Sequence, residues 1–255
     1  MKIRNILVKK GKTTKPKDNK LSETYFISAF PKSGSSFISL VLADLLKFQL
    51  VDIVYSHFRE QDLYLPKMEG YKHVSTISKH HTLATVPNID ILKDYCVKPV
   101  VLVRNLHDVI ISLRDHISKT LRWPHFDVPC DFNEWEESRQ FDFLIDLAIP
   151  WYIHFYVSWK KQYLNKKMDI LFINYEDFNK NPLSVFKTML EFLGHDFQNQ
   201  DIEKSIEKVK LMAKSKNRIN KGVLGRGEAF LTPSQKERIL YYTGYYPDID
   251  FKEIL

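Results

Sequence analysis

Four short apolar stretches, Thr24–Phe30, Val74–Ser78, Pro99–Arg104 and Asp169–Tyr175, are β-branched or aromatic and bounded by polar or proline-containing segments, a pattern that predicts strands. Around them, apolar residues recur at helical spacing over Ser35–Leu50, Asp108–Ser118, Phe141–Tyr163, Leu183–Leu193, Ile202–Met212 and Pro233–Thr243. The last of these opens with Thr232 before Pro233, an N-cap followed by the residue best suited to a first turn. Strands alternating with helices predict a single α/β domain, a central parallel sheet flanked by helices. Segments 57–70 and 119–138 carry no clear period and hold Trp123, Phe126, Phe132 and Trp135. Long connections at the carboxyl ends of parallel strands are where such sheets keep their ligands.

Composition narrows the class. A chain of 255 residues with 44% hydrophobic and 27% charged residues buries a core without disulfides or structural metal. Its two cysteines, Cys96 and Cys130, exclude a disulfide scaffold and favour a reducing compartment. The longest apolar runs, such as Phe37–Leu42, are far too short to span a bilayer, and no signal-length apolar stretch opens the chain. The expectation is a cytoplasmic protein with no membrane span. The net charge of +7 is concentrated: residues 1–20 carry eight bases against Asp18, and the rest of the chain is balanced. This divides the chain into a basic arm, 1–20, and one domain, 21–255. The arm is either a solvated leader or a segment that attracts an anionic partner. A balanced remainder argues against a nucleic-acid face.

The first predicted strand runs directly into Pro31-Lys32-Ser33-Gly34-Ser35-Ser36-Phe37 and then a helix. A glycine in a serine-rich turn at a helix start presents backbone N–H groups to an oxyanion, and Lys32 adds a movable positive charge. The order is not that of a Walker A loop, since the lysine precedes the glycine and nothing places a serine on magnesium. An ordinary capped turn with Ser35 as N-cap is the plain alternative.

Three further segments accompany this loop, and together the four resemble the cytosolic sulfotransferase family. Pro31–Phe37 resembles that family's Pro-Lys-Ser-Gly-Thr-Thr-Trp loop, and Arg104-Asn105-Leu106-His107-Asp108 through Ser112 is similar to its Arg-Asn-Pro-x-Asp-x-x-x-Ser element. Tyr175-Glu176-Asp177-Phe178 with Asn181-Pro182 is similar to its Tyr-Glu-Asp-Leu turn, and Lys221-Gly222-x-x-Gly225 matches most of Arg-Lys-Gly-x-x-Gly. The four stand in family order across residues 25–232. The resemblance implies a P-loop-like nucleotide-binding architecture and, as donor, 3′-phosphoadenosine 5′-phosphosulfate (PAPS), whose product is 3′-phosphoadenosine 5′-phosphate (PAP). It implies that Lys32, Ser33, Gly34, Ser35 and Ser36 hold the 5′-phosphosulfate. Arg104, Ser112, Lys221 and Gly222 would face the 3′-phosphate, and Phe37 and Tyr175 the adenine. Arginine suits a terminal phosphate because its planar fork donates bidentately. A salt bridge to Asp108 is the plainer role for Arg104.

Sulfuryl transfer is an in-line displacement that rests on positioning and on stabilising charge at the leaving oxygen. Lys32 is the candidate for that charge. Ser78-Lys79-His80-His81-Thr82 looks like the family's Lys-Thr-His-Leu-Pro, which makes His81 the candidate general base and Lys79 its helper. The adjacent His80 leaves the register open by one. No His, Cys or carboxylate cluster has metal spacing, so no metal is expected. Departures from the family pattern are Phe37 for tryptophan and Asn220 for the arginine before Lys221, with Arg218 or Arg226 as compensating charges. The family's dimer element is degraded over Glu228, Thr232, Pro233 and Glu237, so the oligomeric state stays open. The acceptor is expected to be a small molecule, by O- or N-sulfation. A P-loop kinase using ATP and magnesium, and a non-catalytic nucleotide-binding relative, are the competing readings.

Overall fold

The computed structural model describes residues 22–56, 59–215 and 223–255. The arm 1–20 and the candidates Lys221 and Gly222 lie outside the described residues. Five strands, β1 (Thr24–Ala29), β2 (Gln49–Val51), β3 (Thr76–His80), β4 (Pro99–Val103) and β5 (Leu171–Asn174), form one sheet in the order β2-β3-β1-β4-β5. Every pairing is parallel. The chain fills one side of β1 with β2 and β3, then crosses to place β4 on the other. Such a reversal opens a crevice at the carboxyl ends of the neighbouring strands.

Period-2 alternation sorts the strand residues onto two apolar layers. Phe26, Phe30, Val101 and Val103 face a core built with Val109, Leu113, Tyr152 and Trp159, closed by Phe251 and Ile254 near the chain end. Tyr25, Ile27, Ala29, Val100 and Leu102 face a second core with Ile38, Leu42, Phe186, Met189 and Ile206. The helices that supply these residues are α1 (Ser35–Leu46), α4 (Leu106–Thr120), α5 (Glu137–Leu164), α7 (Pro182–Phe192) and α8 (Asn199–Ser215). Shorter helices α2 (Leu65–Tyr71), α3 (Val86–Asp94), α6 (Tyr175–Lys180) and α9 (Arg226–Phe230), and α10 (Pro233–Thr243), complete the fold. Because both faces of the sheet are covered, its strands read as near-continuous apolar runs.

The α/β expectation with a parallel sheet holds, and the differences are local. The helix expected over Ser35–Leu50 stops at Leu46, where Lys47 turns left-handed at φ 58°, and Gln49–Val51 become an edge strand. Phe48 and Leu50 continue the helical spacing, so periodicity alone runs past the break. The strand expected at Val74–Ser78 is shifted to Thr76–His80, set by the pairing of Thr24 with Thr76 and Ser28 with His80. Tyr175 starts α6 rather than ending β5, because the Asn174 side chain accepts from the Glu176 N–H and caps a helix there. Segment 57–70 contains part of α2, and Val86–Asp94 is helical with Pro87 in its first turn. The capping box between Thr232 and Gln235 starts α10 where expected.

Gly227, at the second position of α9, is where two helices touch backbone to backbone. A Cβ there would stand 2.3 Å from the His107 Cβ and 2.6 Å from the His107 carbonyl carbon. Gly227→Ala is therefore expected to destabilise the fold by about 1–3 kcal/mol or more. Thermal unfolding checks this; an unchanged midpoint refutes the close approach.

Candidate functional site

The turn from β1 into α1 is held by its carbonyl oxygens. The Ser33 hydroxyl and N–H both donate to the Phe30 carbonyl, at 2.7 and 3.2 Å. The Tyr152 hydroxyl donates to the Pro31 carbonyl at 3.2 Å, and Arg104 Nη1 to the Lys32 carbonyl at 2.9 Å. Lys32 at φ 72° and Gly34 at φ 80° supply the left-handed residues this path needs. Gly34, not Ser35, is the N-cap of α1, and no side chain caps it among the described residues. The Phe37 N–H donates to the Gly34 carbonyl at 3.0 Å, which leaves the Ser35 and Ser36 N–H groups of the first turn to make an anion cradle. Any Cβ at Gly34 would press on the Tyr175 ring at 3.0 Å. Ser33 and Ser35 are buried, Ser36 is exposed, and half-buried Phe37 packs on Phe178.

Arg104 directly follows β4, beside this turn. Its guanidinium lies 4.3 Å over the Tyr175 ring, and its buried Nε has no hydrogen-bond partner among the described residues. The contact to Asp108 is 3.9 Å, longer than a hydrogen bond, so Asp108 does not neutralise Arg104 by a direct bond. Asp108 has another task. Its two carboxylate oxygens accept from the Gly225 and Gly227 N–H groups, each at 2.8 Å. This pins the chain immediately after Lys221-Gly222 to the start of α4. Ser112 is buried one turn further along α4, on the face that carries Asp108. Arg226 donates to Asp115 at 2.8 Å.

The candidate base sits where β3 ends against β1. His81 Nδ1 lies 2.7 Å from the Ala29 carbonyl, which can only accept, so Nδ1 carries the proton and Nε2 keeps its lone pair. Burial, then the Lys79 cation, push the His81 imidazole down to about 3, so it is neutral at working pH. His80 is engaged elsewhere: its Nε2 accepts from the Ile53 N–H at 3.2 Å. The half-exposed Lys79 pairs across the sheet with Ile27. Burial also lowers Lys32, assisted by the Arg104 and Lys119 cations and opposed by Asp115. A lysine shifted this way transfers a proton more readily.

Several residues to which the sequence analysis gave no role lie close to these groups. Glu60, from the aperiodic segment, brings its carboxylate to 3.9 Å from His81 Nε2. His125 pairs with the Gln61 amide at 3.1 Å and stacks on Trp151, with ring centroids 4.9 Å apart. Trp123 stands edge-on to both His125 and His116. Burial lowers His125; burial and then Lys32 lower His116. Aromatic content hinted at this wall, but the contacts are long-range and leave no local spacing to read.

The sulfotransferase domain family model matches residues 22–237. Curated relatives include a flavonol 4′-sulfotransferase of Flaveria chlorifolia, 25% identical over 193 residues, covering 71% of this chain and 58% of that protein. Sulfotransferase 1 family member D1 of Mus musculus is 26% identical over 191 residues, covering 70% and 61%. The matches thus cover about three fifths of these relatives' length. A mouse sulfotransferase, SULT7A1, solved with PAP, superposes with TM-score 0.66 at 19% identity, over 91% of this chain and 87% of that one. A retinol dehydratase in complex with androsterone and PAP superposes with TM-score 0.59 at 15% identity, over 89% and 83%. These two likenesses show that the fold is shared.

His81, His107, His116 and His125 are all held below the ordinary histidine range by burial first. The unfolded chain takes up these protons near pH ~6.5, whereas the folded chain resists them. Stability is therefore full above about pH 6.5 and is lost as the pH falls below it. His81→Asn, which retains a donor and cannot titrate, should flatten the fall in melting midpoint between about pH 6.5 and 5. An identical slope in the variant would show that His81 is not held neutral.

Proposed function

The chain belongs to the sulfotransferase family, and from that premise we propose that it moves the sulfuryl group of PAPS to a nucleophile on a small-molecule acceptor. The observation that supports this is the His81 ring fixed by the carbonyl of Ala29, the last residue of the strand that leads into the Lys32 turn, with Nε2 left as an acceptor. A base next to an anion cradle is what sulfuryl transfer needs. A nucleotide-binding protein without chemistry has no use for the base.

The residues fit a nucleotide with two separated anionic groups. The N–H groups at the start of α1, with Lys32, would hold the 5′-phosphosulfate. Arg104, whose buried Nε has no partner among the described residues, would meet the 3′-phosphate together with Ser112 and the Lys221-Gly222 segment. Tyr175 and Phe37 supply aromatic faces for the adenine. The donor brings an activated sulfuryl group; the protein orients it and handles charge and protons. Lys32 stabilises the negative charge that builds on the leaving oxygen. His81 Nε2 takes the acceptor's proton, while Lys79 adjusts its basicity. His80, used by the Ile53 backbone, is the structural member of the pair.

Among the described residues no helix is long and apolar enough to cross a membrane. The cytoplasmic location, the assignment of 21–255 as the catalytic domain and the lack of a nucleic-acid partner belong to this proposal.

Thermal melting with PAP, ATP and ATP–magnesium tests the donor first. A nucleotide at about a hundred times its dissociation constant adds roughly 2.7 kcal/mol. Stabilisation by PAP alone is expected; stabilisation by ATP–magnesium instead would move the kinase reading to the front. His81→Ala should then lower turnover roughly 10²-fold or more with PAP affinity intact. Lys32→Ala should weaken both PAP binding and turnover. Unchanged turnover in Lys32→Ala would remove it from the leaving-group role.

A further inference from the structure

We propose that segment 249–254 braces the nucleotide site, and that Asn174 is the positioning residue through which it acts. This rests on the sulfuryl-transfer reading above. Two strand ends carry the candidate nucleotide residues: Arg104 directly follows β4, and Tyr175 directly follows β5. The ladder between these strands ends at Val103 and Asn174. Beyond it, one segment meets both chains. The Leu106 N–H, in the first turn of α4, donates to the Ile254 carbonyl at 2.7 Å. The Asn174 side-chain amide donates to the Glu253 carbonyl at 2.6 Å.

Asn174 is bonded on two sides. Its Nδ2 reaches out to Glu253, while Oδ1 accepts from the Glu176 N–H at 2.8 Å and caps α6. Fixing this amide fixes the first turn of α6, where the Tyr175 ring lies 4.3 Å from the Arg104 guanidinium carbon. The Glu176 carboxylate then accepts from the Asn105 N–H at 3.2 Å and ties α6 back to the residue after Arg104. Arg104 and Tyr175 therefore each stand within two residues of a group bonded to one of two consecutive carbonyls, those of Glu253 and Ile254.

The brace has its own anchorage. Ile254 is fully buried, and the buried Phe251 packs on Tyr156 with ring centroids 5.5 Å apart. The Tyr156 hydroxyl donates to the Asp250 carbonyl at 2.9 Å, and the Lys160 ammonium donates to the Glu253 carboxylate at 2.7 Å. Both side chains come from α5, the helix whose Tyr152 holds the Pro31 carbonyl. One helix thus fixes the Lys32 turn directly, and the Arg104 and Tyr175 ends through the brace. A site ordered in advance loses less conformational freedom when its ligand binds. The bonds of the brace go to the nucleotide side of the site, so its loss is read in nucleotide affinity.

The test measures PAP dissociation constants by calorimetry on the full chain, together with melting midpoints. Asn174→Asp keeps an oxygen for the Glu176 N–H and replaces the donor to Glu253 with a second acceptor. It should raise the PAP dissociation constant about tenfold, and Asn174→Ala at least as much. Tyr156→Phe removes only the hydroxyl that holds Asp250 and should weaken PAP in the same direction, by about threefold. Met189→Ala, a cavity in the second core, should lower the melting midpoint yet keep PAP affinity within about twofold. Wild-type PAP affinity in Asn174→Asp overturns the proposal, since it would leave Asn174 as a helix cap alone. An equal loss of affinity in Met189→Ala overturns it too, by marking the effect as general destabilisation. If PAP does not bind the wild type, the sulfotransferase reading falls and the brace with it; if PAP binds the wild type and Asn174→Asp equally, only the brace falls.

Discussion

The site depends on one constraint: the carbonyl oxygens of the turn after β1 are satisfied from within the protein, which fixes the path that leads into the start of α1. Three consecutive carbonyls, of Phe30, Pro31 and Lys32, are each taken by a partner from a different part of the chain, Ser33, Tyr152 and Arg104. Tyr152 is wholly buried on α5 and Arg104 directly follows β4, so the turn is held from both the helix layer and the sheet. Left to itself, a Pro-Lys-Ser-Gly turn has many conformations, two of its residues needing positive φ. Ordering it in advance is what makes backbone donors effective toward an anion, since nothing must reorganise when charge arrives.

Arg104 links this turn to the second half of the site. The same side chain donates to Lys32, lies over Tyr175 and approaches Asp108. Asp108 in turn holds the Gly225–Gly227 backbone, which Gly227 allows to lie directly on His107. A carboxylate accepting two backbone N–H groups is among the stronger neutral-to-charged hydrogen-bond arrangements. Two elements more than a hundred residues apart in sequence are thereby joined within one helical turn of Arg104. The opposite edge is organised in the same way by β3. His81 takes its orientation from a β1 carbonyl, and Thr82 and Asn88 set the segment carrying Glu60. Parallel pairing of β1 with β3 brings both edges together at one end of the sheet.

The two sides of the site differ in physical character. Around Lys32, burial first and then the Arg104 and Lys119 cations lower the lysine, against Asp115. Around His81 there is a cation, Lys79, and a carboxylate, Glu60, on a wall of aromatic rings. The first environment suits a polyanionic donor.

The α/β class, the parallel sheet, the glycine turn and the Lys32, Arg104, Asp108 and Tyr175 segments were all legible in the sequence. Each is written in contiguous residues: a strand run, a glycine where φ is positive, a capped helix start such as Thr232-Pro233. The short edge strand Gln49–Val51, the two-residue shift of β3 and the helix Val86–Asp94 were not, because hydrogen-bond partners distant in sequence decide them. So too for the pair His80 and His81. Side by side, they are equivalent to any reading of spacing, and only the Ile53 N–H and the Ala29 carbonyl distinguish the two rings. Glu60, Gln61, His125 and Trp151 belong to the same category. By itself the sequence determined which local shapes and which charged groups were present. The tertiary structure decided which of those groups share a site, because convergence from separate loops is set by strand register and buried hydrogen bonds, neither of which has a local period.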